Sequence, residues 1–120
     1  MTELLMNHVA GTWVAGQGTG IPLVDPVTGE ELVRVSSAGL DLSAAFAHAR
    51  EHGGAALRAL GYAQRAERLA ATAKLLQANR DAYFAIAMSN SGTVKNDSAV
   101  DIDGAIYTLG QYAKLSLIHI

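Results

Sequence analysis

The spacing of apolar residues changes once along this chain, near Gly39, from a period of about two to a period of about 3.6. Before that point the runs are short and weakly alternating. Residues 5–14 predict one strand, with His8 and Thr12 on one side and Val9 and Trp13 on the other. Gly16-Gln17-Gly18-Thr19-Gly20 predicts a hairpin loop leading into a second strand over 21–24, which Pro22 places at a sheet edge because it has no N–H to donate. Asp25-Pro26-Val27-Thr28-Gly29 then predicts a turn. Pro26 presets φ at the first corner, the Asp25 carboxylate bonds forward to backbone, and Gly29 takes a left-handed conformation. Residues 31–35 form the return strand.

Beyond Gly39, Leu42, Ala45, Phe46 and Ala49 recur at helical spacing, with Asp41 as N-cap, Leu40 stapled against Ala45, and Gly53-Gly54 as the stop. A second helix over 62–78 carries Ala66, Leu69, Ala73 and Leu76 on one stripe. Asn79-Arg80-Asp81 interrupts it before a third helical run over 82–88, which Asn90-Ser91-Gly92 ends. Ser98-Ala99-Val100-Asp101 has capping-box spacing and predicts the start of a last helix whose inner face is Ala99, Ile102, Ile106, Leu109 and Ala113. The chain therefore reads as α+β, a short β meander followed by four helical segments.

Composition narrows what such a domain can do. The chain has 120 residues, half of them apolar and 17% charged, which suits one small globular core. A net charge of −2 with singly scattered Lys and Arg gives no basic stripe for nucleic acid. No apolar run approaches the roughly 18–20 residues of a membrane span, and the start lacks signal-peptide character, so a cytoplasmic protein is expected. There are no cysteines, hence neither disulfides nor a catalytic thiolate in this chain.

Three groups of residues invite a chemical reading, and each has a structural one. His48 and His52 are four apart, which would put both imidazoles on one helix face and could hold zinc given further ligands, but two histidines near a helix C-terminus also complement its dipole. Gly16, Gly18 and Gly20 resemble a phosphate loop, yet a second strand follows where a dinucleotide fingerprint needs a helix. Asp97, Asp101 and Asp103 could meet a cation, although carboxylates gather at helix N-termini for dipole reasons alone. His8 and His119 have no evident partners. These residues by themselves compose no active site.

Three stretches in register nevertheless resemble the aldehyde dehydrogenase superfamily: the Asp25-Pro26-Val27-Thr28-Gly29-Glu30 turn preceded by a strand carrying an exposed Trp13, the helix around Arg65, and Gly110-Gln111-Tyr112-Ala113. The resemblance covers about residues 5–114, which it assigns to the N-terminal segment of the cofactor-binding domain of a longer α/β enzyme. Ser36-Ser37-Ala38-Gly39-Leu40-Asp41, Ala56-Leu57-Arg58-Ala59-Leu60 and Ser91 through Gly104 are similar to a narrower group acting on CoA-linked semialdehydes in the aerobic degradation of aromatic compounds such as benzoate. Asn90-Ser91-Gly92-Thr93-Val94 stands where many relatives have Glu-x-Gly-Lys-Pro.

That resemblance implies an enzyme that uses NADP or NAD, forms a thiohemiacetal at a cysteine, passes hydride to nicotinamide and hydrolyses the resulting thioester to a carboxylate. It also implies a small-molecule aldehyde substrate and a homodimer or homotetramer, with no nucleic-acid or membrane partner. The family's nucleophile, base, oxyanion asparagine and cofactor loop lie downstream, so no catalytic or cofactor-binding residue is assigned here, no cofactor is expected on this segment, and activity from it alone is not expected. Some members hold a structural monovalent cation at positions that resemble Val24, through its carbonyl, and Asp101. Residues 115–120 depart from the family pattern and are expected to be a foreign or truncated tail. The competing reading is a stand-alone α+β interaction module without enzymatic activity.

Overall fold

A computed structural model describes residues 2–118. The chain divides within a short helix into two compact units, one ending at Ala56 and one starting at Leu57. The first unit opens with β1 (Met6–Val9), β2 (Thr12–Ala15), β3 (Ile21–Val24) and β4 (Glu31–Val35), arranged as two antiparallel hairpins, β1 with β2 and β3 with β4. An isolated parallel bridge joins Leu4 to Arg34, with the Leu5 N–H donating to the Arg34 carbonyl at 2.9 Å and the Arg34 N–H to the Glu3 carbonyl at 2.8 Å.

The single strand expected over 5–14 is thus a hairpin. Ala10 and Gly11 both take positive φ, 51° and 83°, the backbone that a two-residue turn needs to match strand twist. Folding back at this point pairs His8 with Trp13 across the hairpin, so the two residues expected on opposite sides share a face, with ring centroids 5.0 Å apart edge-on. His8 therefore has a partner, Trp13, while His119 lies outside the described residues. Trp13 is exposed, as expected.

Because β2 returns to β1, the Gly16–Gly20 stretch connects two hairpins instead of closing one. Gly16 is buried, and a Cβ there would sit 2.1 Å from the Ser36 carbonyl oxygen. Pro22 lies in β3, whose only strand partner among the described residues is β4, as an edge proline requires. The Asp25 turn forms as its residue types dictate. The Asp25 carboxylate accepts from the Val27 and Thr28 N–H groups at 2.7 and 3.2 Å, its carbonyl accepts from Gly29 at 2.8 Å, and Gly29 has φ 75°.

Helix α1 (Leu42–His48) starts where expected, with the Ala44 N–H donating to the Asp41 carboxylate at 2.9 Å. It does not stop at Gly53-Gly54. Residues Ala49–Gly53 form a π-helical turn in which the Gly54 N–H reaches back five residues to the Ala49 carbonyl, and α2 (Gly54–Ala59) continues. Gly54 sits at φ −63°, ψ −41°, ordinary right-handed helix; glycine permits a left-handed stop but does not impose one.

In the second unit, α3 (Tyr62–Ala78), α4 (Arg80–Ser91) and α5 (Lys95–Ile118) pack together. Gly61 is the extended N-cap of α3, its N–H held by the Gln64 side chain at 3.0 Å. Asn79 ends α3 and its amide bonds back to the Leu75 carbonyl at 2.9 Å, so the expected interruption is one residue wide and α4 begins at once. Left-handed Gly92, φ 67°, closes α4.

The expected inner faces of α3 and α5 are the buried and half-buried ones. Ala66 (2% exposed), Phe84 (3%) and Ala113 (5%) are the buried apolar residues among those described, and all three belong to this unit. Its start signal on α5 was misplaced: the helix begins at Lys95, and Ser98 lies inside the first turn with its N–H on the Val94 carbonyl at 3.0 Å. Leu115 to Ile118 continue α5, whereas the expected tail's last two residues, His119 and Ile120, lie outside the described residues.

Candidate functional site

Polar side chains in this chain converge in two places, one in each unit. In the first unit they fasten the glycine loop. Ser36 Oγ donates to the Gln17 carbonyl at 2.7 Å, Gln17 N–H to the Ala38 carbonyl at 2.9 Å, and Asn7 Nδ2 to the Ser36 carbonyl at 2.8 Å. Arg34 Nε donates to the Thr19 carbonyl at 2.6 Å, and Nη2 to the Gly20 carbonyl at 3.2 Å. A groove of roughly 580 Å³ runs over these residues between Asn7, Thr19 and Ser37.

This loop does not fit a dinucleotide. The Gln17 N–H is already committed to Ala38, and the segment after Gly20 is strand β3, so no helix opens directly after the loop to receive a pyrophosphate. Arg34 also bonds Glu31 through Nη1 at 2.9 and 2.8 Å, and Thr2 Oγ1 donates to the same carboxylate. The Thr2 hydroxyl first, and Arg34 second, hold the Glu31 carboxyl below its ordinary range.

In the second unit polar side chains join α4 to α5. Arg80 Nε and Nη2 grip the Asp103 carboxylate at 2.5 and 2.6 Å, and the guanidinium carbon lies 4.4 Å from the Phe84 ring centroid. The arginine holds Asp103 below the usual carboxylate range, and Asp103 in turn raises Arg80. At the other end of α4, Ser91 Oγ, Thr93 Oγ1 and Ser98 Oγ form a chain of hydroxyls at 3.0 and 2.7 Å. Ser98 is 1% exposed, so the Thr93 bond satisfies a hydroxyl that water does not reach.

The expected capping box at Ser98 and Asp101 fails for this reason: the serine hydroxyl is engaged with Thr93, and Asp101 is exposed one turn into an established helix. The acidic trio does not act as one group: Asp97 lies in the first turn of α5, Asp101 is exposed one turn later, and Asp103 is bound to Arg80. Val24, the other position expected to bear on a monovalent cation, ends β3 in the first unit and is exposed. Among the described residues, no group of three or more His, Asp or Glu side chains gathers as a metal site.

His48 is the last residue of α1 and His52 lies in the π turn, but the helical run does not end there as expected, because the backbone continues into α2. Neither the hydroxyl chain nor the Arg80–Asp103 pair was singled out from sequence as a working unit: the first is set by the shape of the turn between α4 and α5, and the second joins residues 23 apart that meet only when the helices pack. The chemistry available is that of a frame. Hydroxyls without an adjacent base are not activated nucleophiles, and the chain has no cysteine.

The family model of the aldehyde dehydrogenase family matches residues 13–117, most of the chain and both units. The chain belongs to the aldehyde dehydrogenase family. It is 54% identical over 110 residues to the 3,4-dehydroadipyl-CoA semialdehyde dehydrogenase of Aromatoleum evansii, an alignment covering 92% of this chain and 21% of that protein. The chain thus spans about a fifth of the length of the curated relative it matches. Within this aldehyde dehydrogenase segment, the Asp25 turn, the start of α3 and the end of α5 are the elements on which the resemblance rested, and each forms a regular, hydrogen-bonded feature. No helix among the described residues is long and apolar enough to cross a membrane.

Proposed function

We propose that this chain is the N-terminal part of an NAD(P)-dependent aldehyde dehydrogenase that oxidises a CoA-linked semialdehyde to its carboxylate during degradation of an aromatic compound. The observation that carries this reading is the 54% identity, spread over 92% of the chain, to a relative named for that substrate class. The structural contribution of the segment follows from its chemistry. It supplies a frame of two hairpins and a helical layer, while thiolate, base and oxyanion donors come from residues beyond it. The assembled enzyme works in the cytoplasm as a homodimer or homotetramer on a small-molecule aldehyde, without nucleic acid or membrane.

The test is to express the complete reading frame and follow nicotinamide reduction with 3,4-dehydroadipyl-CoA semialdehyde beside the corresponding free semialdehyde. The expected outcome is a kcat/KM at least a hundredfold higher for the CoA-linked compound. Equal values for the two would remove the CoA assignment and leave the family; no reduction with any aldehyde would remove the activity.

A further inference from the structure

His48 closes α1 and His52 lies in the π turn that follows. Their ring centroids are 4.5 Å apart and the ring planes are inclined by 34°. A separation of four residues turns through about 400° in an α-helix and about 330° in a π-helix, so both geometries bring the second imidazole back to within about 40° of the first. The side chains share one face whichever hydrogen-bond pattern the turn adopts.

At 4.5 Å the two rings are close enough for one ion to meet a nitrogen of each, and the choice among ions follows imidazole's own preference, copper(II) above nickel(II) and zinc. His52 is exposed and His48 half-buried, so an ion reaches the pair without opening the fold. The His48 side chain makes no capping hydrogen bond to the π turn it precedes.

We propose that His48 and His52 form a two-imidazole surface site for a tetragonal divalent ion, copper(II) first and nickel(II) second. Water completes the coordination, because among the described residues no third His, Asp or Glu joins the pair. Two ligands cap the affinity near the micromolar range and make the order of ions follow intrinsic imidazole preference, copper above nickel and zinc.

The experiment is a calorimetric titration of the full chain with copper(II) chloride in a non-coordinating buffer, paired with electron paramagnetic resonance. One ion per chain, an axial signal with coupling to two nitrogens, and a loss of at least tenfold in affinity in His52→Ala and in His48→Ala are expected. His8→Ala, in the β hairpin, leaves binding unchanged. Circular dichroism confirms that the variants keep their helix. Copper binding that His52→Ala leaves intact, a preference for zinc over copper, or no stoichiometric binding at all would overturn the site and leave the rings as a simple stacked pair.

Discussion

The two units of this chain are held by different means. Among its described residues the unit ending at Ala56 buries no apolar side chain and only Gly16 is buried; its geometry is set by backbone ladders and by Arg34, Ser36 and Asn7 bonded to carbonyls. The unit starting at Leu57 has a small core of Ala66, Phe84 and Ala113, reinforced by the Arg80–Asp103 pair and the buried Ser98. Hydrogen bonds contribute about 0.5–1.5 kcal/mol each, and a lone two-stranded hairpin is marginal in water, whereas burial of a whole aromatic side chain contributes several times as much. Shape without a core is therefore cheap to specify and easy to lose. The sole tryptophan, Trp13, lies in the first unit and most helix in the second, so fluorescence and circular dichroism read the two separately.

The largest effect is expected in the second unit. Phe84→Ala leaves a cavity where a nearly fully buried ring stood and removes the face over which Arg80 lies, at a cost of about 3–5 kcal/mol in helix stability measured by urea denaturation. A loss below about 1 kcal/mol would show that these three residues do not act as a core. The matching change in the first unit is Gly16→Ala. Its Cβ would fall 2.1 Å from the Ser36 carbonyl oxygen, so the Gln17–Ala38 and Ser36–Gln17 bonds must part; destabilisation of about 1–3 kcal/mol is expected in the Trp13 transition.

What the sequence disclosed follows the same division. The inner faces of α3 and α5 were legible because a core imposes a 3.6-residue repeat on Ala, Leu and Ile. The β3–β4 hairpin was legible because Asp25, Pro26 and Gly29 each have a local reason to turn. The β1–β2 hairpin was hidden: Ala10 takes a left-handed backbone that its residue type disfavours, and only pairing of the flanking strands selects it. Gly53-Gly54 looked like a stop, but continued hydrogen bonding carries the helix through as a π turn. Ser98 looked like a cap, but Thr93, five residues earlier in the turn between α4 and α5, takes its hydroxyl. The Arg80–Asp103 pair was hidden for a different reason, since its partners are 23 residues apart in sequence and meet only when the two helices pack.

Two smaller effects sharpen the contrast. Ser98→Ala removes the buried end of the hydroxyl chain, leaving Thr93 with Ser91 alone, and costs about 1 kcal/mol in the helical transition; the exposed Thr12→Ala in the first unit is expected to cost less than half of that. The smallest effect is electrostatic. Asp103 and Glu31 both have folded pKa values lowered below the ordinary carboxylate value, Asp103 by Arg80 and Glu31 by Thr2 and then Arg34. A depressed folded pKa adds stability that is complete above the unfolded pKa and is lost as pH falls through the folded one. The stability these two carboxylates contribute should therefore be lost on the acid side. Asp103→Asn should flatten that decline in circular dichroism and leave it in Trp13 fluorescence, with Glu31→Gln doing the reverse. Because these carboxylates are solvent-screened, the changes are small.

Under the proposed function, this aldehyde dehydrogenase segment frames a reaction without supplying a reacting group. The direct measurement is kcat for nicotinamide reduction by the complete enzyme in which Ser91, Thr93 and Ser98 are replaced together by Ala, Val and Ala, assayed well below its melting temperature. A kcat within about threefold of the unaltered enzyme is expected, although melting is lower. A fall of a thousandfold or more in a variant whose fold is intact would contradict it, because it would place catalytic chemistry in the hydroxyl chain.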